Sequence, residues 1–116
     1  MKVIDILNNT DNPVFSFELV PPLKGGDINK IYEAIEPLIA LAPPFINITF
    51  HRDEVVYREY PDGTIKKVTV TKRPGSVALA AAIMRRYNVD MVPHIVCGGA
   101  TRHKIENELI DLNFLD

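Results

Sequence analysis

Short apolar runs that end at proline or glycine alternate along this chain with segments of helical periodicity, and this alternation limits the fold more than any other feature. Val14-Phe15-Ser16-Phe17-Glu18-Leu19 reads as a strand between Pro13 and Pro21-Pro22. Asp27 then caps a helix whose Ile28, Ile31, Ile35 and Leu38 recur at steps of three and four, with Pro37 expected to kink it or limit its last turn. After Pro43-Pro44, Phe45-Ile46-Asn47-Ile48-Thr49-Phe50 gives a second strand. Ser76 caps an alanine-rich helix running to about Tyr87. Met91-Val92-Pro93-His94-Ile95-Val96-Cys97 is a third strand, and Thr101 caps a helix with Ile105, Leu109 and Leu112 on one face. Residues 1–12 read as a short helix or an arm.

Residues 54–71 interrupt this rhythm with a β-hairpin. Asp62-Gly63 is a two-residue turn signal, and pairing about it sets Tyr57 opposite Val68, Val55 opposite Val70 and Glu59 opposite Lys66. The order β-α-β-hairpin-α-β-α predicts an α/β fold, a parallel sheet with helices packed outside it. The strands are nearly continuous apolar runs, as expected where both sheet faces are covered. Function in such sheets collects at the C-terminal strand ends, here Glu18, Thr49 to His51, and His94 to Gly98.

Composition excludes several roles. A net charge of -2 and a pI near 5.9 argue against nucleic-acid binding. No apolar stretch approaches the roughly 20 residues that span a bilayer, and Met1-Lys2-Val3-Ile4-Asp5 is no signal peptide. A soluble cytoplasmic domain is the expectation. The single cysteine, Cys97, excludes an internal disulfide and a cysteine-cluster metal site, and reads as a small buried hydrophobe.

Glu18 stands between Phe17 and Leu19, where a carboxylate loses hydration and its pKa rises unless a partner compensates. Such a group can exchange a proton near neutral pH. It can equally pair with a basic side chain or mark a strand end that reaches water, and the pattern leaves these open. His94 reads alone as a structural histidine. His51 lies just past the second strand and His103 on the outside of a helix, with no metal-ligand spacing among the three. Thr49 is a hydroxyl at a strand end. Gly98-Gly99 before Thr101 could bind an anion through free amides, or be a tight strand-to-helix turn. Lys66-Lys67, Lys72-Arg73 and Arg85-Arg86 read as solvated faces.

Three of these segments together resemble the methylenetetrahydrofolate reductases: Phe15-Ser16-Phe17-Glu18-Leu19-Val20-Pro21-Pro22, Ile46-Asn47-Ile48-Thr49-Phe50 and Val92-Pro93-His94-Ile95-Val96-Cys97, in family order, over about Val14 to Asp116. The resemblance implies a (β/α)₈ TIM barrel with FAD at the C-terminal strand ends. It implies hydride transfer from NADH or NADPH through the flavin to 5,10-methylenetetrahydrofolate, giving 5-methyltetrahydrofolate in one-carbon and methionine metabolism. On that resemblance Glu18 is the catalytic acid that promotes opening of the folate ring to an iminium ion. Thr49, Phe50 and His94 match cofactor-binding positions, no metal is implied, and the parent enzyme is expected to be a homo-oligomer.

Two departures follow. His51 and Arg52 stand where the bacterial pattern has a glycine and a small residue, and the 54–71 hairpin follows them, expected at the active-site mouth as a lid or an oligomer contact. The family's Arg-Gly-Asp segment after a fourth strand is not in the sequence. A complete barrel takes about 250 residues. The 116 residues are therefore expected to be one incomplete domain, the N-terminal part of such an enzyme, binding FAD poorly and lacking turnover alone. The competing expectation is a self-contained α/β module that binds an anion or phosphate at Gly98-Gly99 without redox chemistry.

Overall fold

A computed structural model describes residues 2–115; Met1 and Asp116, the outer ends of the leader reading and of the resemblance, lie outside the described residues. Helix α1 (Val3–Asn8) precedes β1 (Phe17–Leu19), α2 (Asn29–Ile39), β2 (Phe45–Ile48), β3 (Glu54–Glu59), β4 (Ile65–Val70), α3 (Ser76–Tyr87), β5 (Asp90–Pro93) and α4 (Arg102–Asn113). The expected order holds, with all three parallel strands shorter than the apolar runs that announced them. Strands β1, β2 and β5 form a parallel sheet with β2 central. Two ladder bonds continue past it, from Thr49 N–H to Leu19 O and from His94 N–H to Ile48 O, each 2.9 Å.

Only one face of this sheet is covered. Ile46 and Ile48 of β2 are fully buried against Ile35 of α2 and Leu79, Ala80 and Ile83 of α3, with Phe17, Leu19 and Met91 packed at the margin. Register sets Glu18, Asn47 and Val92 side by side, one step out of phase with those residues and so on the opposite face. The expectation that helices cover both faces is therefore corrected. The radius of gyration, 17.5 Å, exceeds the roughly 13 Å of a compact chain of about 100 residues.

Local chemistry explains the element ends. The N-cap of α2 is Ile28 rather than the expected Asp27; Asp27 Oδ1, one residue earlier, accepts from the N–H of Asn29 at 2.9 Å and from its side-chain amide at 3.0 Å, which holds the Asp27 carboxyl below its ordinary value of 3.8. Pro37 lies inside the last turn of α2, which closes two residues later at Ile39, in keeping with a proline that limits that turn. Asn88, at φ 52°, gives α3 a left-handed C-cap. Tyr87 Oη donates to Tyr32 O at 3.2 Å, and the two rings meet edge to face 5.9 Å apart, joining α3 to α2. Arg86 does not simply face water, since its guanidinium sits 4.3 Å from the Tyr32 ring centroid.

The hairpin is shifted by one residue from its expected register. Val56 faces Val68, Tyr57 faces Lys67 and Glu59 faces Ile65. Tyr60 N–H donates to Thr64 O and Gly63 N–H to Tyr60 O, so the connection is the three-residue loop Pro61-Asp62-Gly63. Pro61 suits the first bend of a type I turn, and Gly63, at φ +82°, takes the left-handed position after it. Because strand side chains alternate, the slip turns Val56, Val68 and Val70 to the half-buried face and leaves Val55 and Tyr57 exposed. The Glu59–Lys66 pair is not formed across the strands.

Candidate functional site

The open face of the sheet, at the C-terminal ends of its strands, gathers the polar groups. Glu18 projects from β1 beside Asn47 of β2. Glu18 is exposed, so the expected desolvation is absent: its apolar neighbours Phe17 and Leu19 point to the helix side. Among the described residues no basic side chain pairs with it. Asn47 Nδ2 donates to Ser16 Oγ at 3.2 Å and reaches Phe17 O at 3.5 Å, which fixes the amide against β1. Asn47 is a site residue that the sequence does not single out; its one local signal is a polar side chain set between Ile46 and Ile48 in an apolar strand, and the ladder pairs it with Glu18.

Thr49 and His94 extend this face by alternation from Asn47 and Val92. Thr49 Oγ1 donates to Leu19 O at 3.3 Å and lies 3.2 Å from His51 Nε2. With its proton committed to the carbonyl, the hydroxyl accepts from His51 Nε2–H. His94 is half-buried, and its backbone carbonyl accepts from Ser76 Oγ at 3.1 Å. Ser76, only 3% exposed, therefore does not cap α3, whose N-cap is Gly75; it ties the start of α3 to the end of β5.

Phe50 sits apart from this group. Lys104 Nζ lies 5.8 Å from its ring centroid, and Phe50 lines a 330 Å³ cavity with the hairpin base, the Gly98-Gly99 turn and α4. Cys97 is exposed rather than buried. Ala100 N–H donates to Cys97 O at 3.1 Å, and Gly99 adopts φ +79°, so the diglycine forms a tight turn. Thr101 Oγ1 caps α4 by accepting from Lys104 N–H at 3.2 Å, which occupies an amide that an anion would need. His103 is exposed on α4, 3.3 Å from Asn107 Nδ2. No group of three potential metal-binding His, Cys, Asp or Glu side chains occurs among the described residues. No helix of the described residues is long and apolar enough to cross a membrane.

The geometry places a carboxyl, an oriented amide, a hydroxyl and an imidazole along one uncovered strand-end surface. A family model described as methylenetetrahydrofolate reductase matches residues 2–114. No curated protein and no solved structure matches the chain.

Proposed function

Because the chain belongs to the methylenetetrahydrofolate reductase family, we propose that it forms the first three strands of a (β/α)₈ barrel that reduces 5,10-methylenetetrahydrofolate to 5-methyltetrahydrofolate. The observation that carries this reading is the juxtaposition of Glu18 and Asn47 on the uncovered face, with Thr49 and His94 at the strand ends beyond them. In a closed barrel of this class the uncovered face lines the interior, and the site lies at the C-terminal strand ends. The open groove along α4, where Leu109, Ile110 and Phe114 are at least half exposed, supports further barrel elements packing there.

A flavin needs hydrogen-bonding groups beside a flat, accessible surface. The residues present fit that need: the Thr49 hydroxyl and the His94 imidazole border the uncovered sheet and would hold FAD there. Phe50, engaged with Lys104 on the α4 side, is left out of that set. Bound flavin would supply hydride acceptance from NADH or NADPH and hydride donation to the folate. Glu18 acts on the folate as a general acid, and its exposure here leaves it free to meet a substrate that dehydrates it on binding. Asn47, held by Ser16, keeps the neighbouring position polar and fixed. Three strands cannot close a barrel, so the 116 residues alone are expected to retain FAD poorly and not to turn over.

The test separates two half-reactions in a full-length reductase bearing these residues. Its flavin should be bleached by NADH or NADPH and then recoloured by 5,10-methylenetetrahydrofolate. Bleaching without recolouring by the folate contradicts the substrate assigned here.

A further inference from the structure

The β3–β4 hairpin rises from the end of the central strand β2, and it is tied to the loops that follow both flanking strands. Arg52, two residues before β3, donates from Nη1 to Gly98 O at 3.1 Å, in the turn after β5. Arg73, three residues after β4, donates from Nη1 to the carbonyl of Pro21, which is fully buried in the loop after β1. Beside Arg73, Lys24 N–H donates to Lys72 O at 2.8 Å, a second link to the same loop. The hairpin stem is closed on itself by Lys72 Nζ and Glu54 Oε2 at 2.5 Å. Asp53 reaches Lys104 of α4 at 3.9 Å.

We infer that Arg52 and Arg73 are positioning residues that stay the hairpin between the β1 and β5 loops, making it a fixed wall at the strand ends rather than a swinging lid. The two ion pairs are solvent-exposed and weak by comparison. The guanidinium bonds are charge-assisted and end on backbone carbonyls, so they constrain position as well as add energy. Arg73 is the stronger stay, because its bond is partly buried, whereas that of Arg52 faces water. The two arginines tie the stem to different loops, so releasing either one loosens it, and releasing both, which leaves the Lys24–Lys72 link, loosens it most. That the wall bounds a folate-reducing site rests on the proposed function; its fixity does not.

Amide hydrogen exchange on the 116-residue chain tests this without flavin or folate, so its failure is distinct from failure of the functional reading. In the native chain, the cross-strand amides of Glu54, Val56, Val68 and Val70 and the Lys24 amide should exchange well below the free-peptide rate. In the Arg52→Ala, Arg73→Ala double variant these amides should exchange at least about tenfold faster, while the amides of α3 are unchanged. Arg52→Lys with Arg73→Lys, which keeps a charged donor on each side, should recover part of the protection. If the double alanine variant opens α3 as well, the single Arg52→Ala change decides, since its bond is exposed: faster stem exchange with α3 intact supports the wall. Free-peptide exchange of the native stem overturns the inference. So does an unchanged stem in the variant that keeps α3 intact.

Discussion

The two faces of the three-stranded sheet are built from adjacent residues and have opposite characters. Ile46 and Ile48 are at most 1% exposed beneath α2 and α3, while Asn47 between them turns to the open side, where Glu18 stands in solvent. One step along a strand separates the group that holds the fold from the group that can do chemistry. Changes on the two faces should therefore separate into losses of stability and losses of activity.

The largest stability effect is expected on the closed face. Ile83, fully buried between α3 and β2, belongs to a core of few large side chains, so Ile83→Ala should cost about 2–5 kcal/mol. Urea unfolding measures it, and a cost near zero would mean that the helices do not pack as described. A smaller effect is expected where the faces are joined. Ser76→Ala removes the donor to His94 O and should cost about 1–2 kcal/mol. It should also shift the His94 ring resonances, and an unmoved His94 would break the link between α3 and the strand end.

The smallest effect lies farthest from both faces. Thr64 donates to Asp62 from its hydroxyl at 2.6 Å and its N–H at 3.0 Å, which holds the Asp62 carboxyl below its ordinary value of 3.8. A depressed carboxyl stabilises the folded turn above the unfolded value, and that contribution is lost as pH falls below it. Acid titration should perturb the Gly63 and Thr64 amides below pH 3.8 while the Ile46 and Ile83 resonances hold. Simultaneous change in turn and core would show that the hairpin tip is not locally independent.

The element order was legible because helical and strand periodicities differ and because proline and glycine stand at the boundaries. Thr101 declared its cap, and the parallel pairing of β1, β2 and β5 followed from the alternation. What escaped the sequence was phase. Asp62-Gly63 suggested a two-residue turn, but Pro61 is itself a turn residue, and including it moves the register by one and reverses the hairpin's faces. Glu18 looked buried because its chain neighbours are apolar, yet chain neighbours in a strand face the other way. Ser76 looked like a cap because serine beside Gly75 resembles one; only the tertiary approach of β5 gives its hydroxyl a different partner. Arg52 and Arg73 gave no local signal, since their carbonyl partners are 46 and 52 residues away.

The most direct test of the open face as the chemical one is Glu18→Gln in a full-length reductase bearing these residues, followed by rapid mixing of each half-reaction. The substitution keeps the shape and touches an exposed position, so stability should change by less than about 0.5 kcal/mol. Flavin reduction by NADH or NADPH should stay near its original rate, while reoxidation by 5,10-methylenetetrahydrofolate should slow by about 10²–10⁴-fold, the usual contribution of a general acid. Equal slowing of both half-reactions, or no slowing of either, would contradict the role assigned to Glu18.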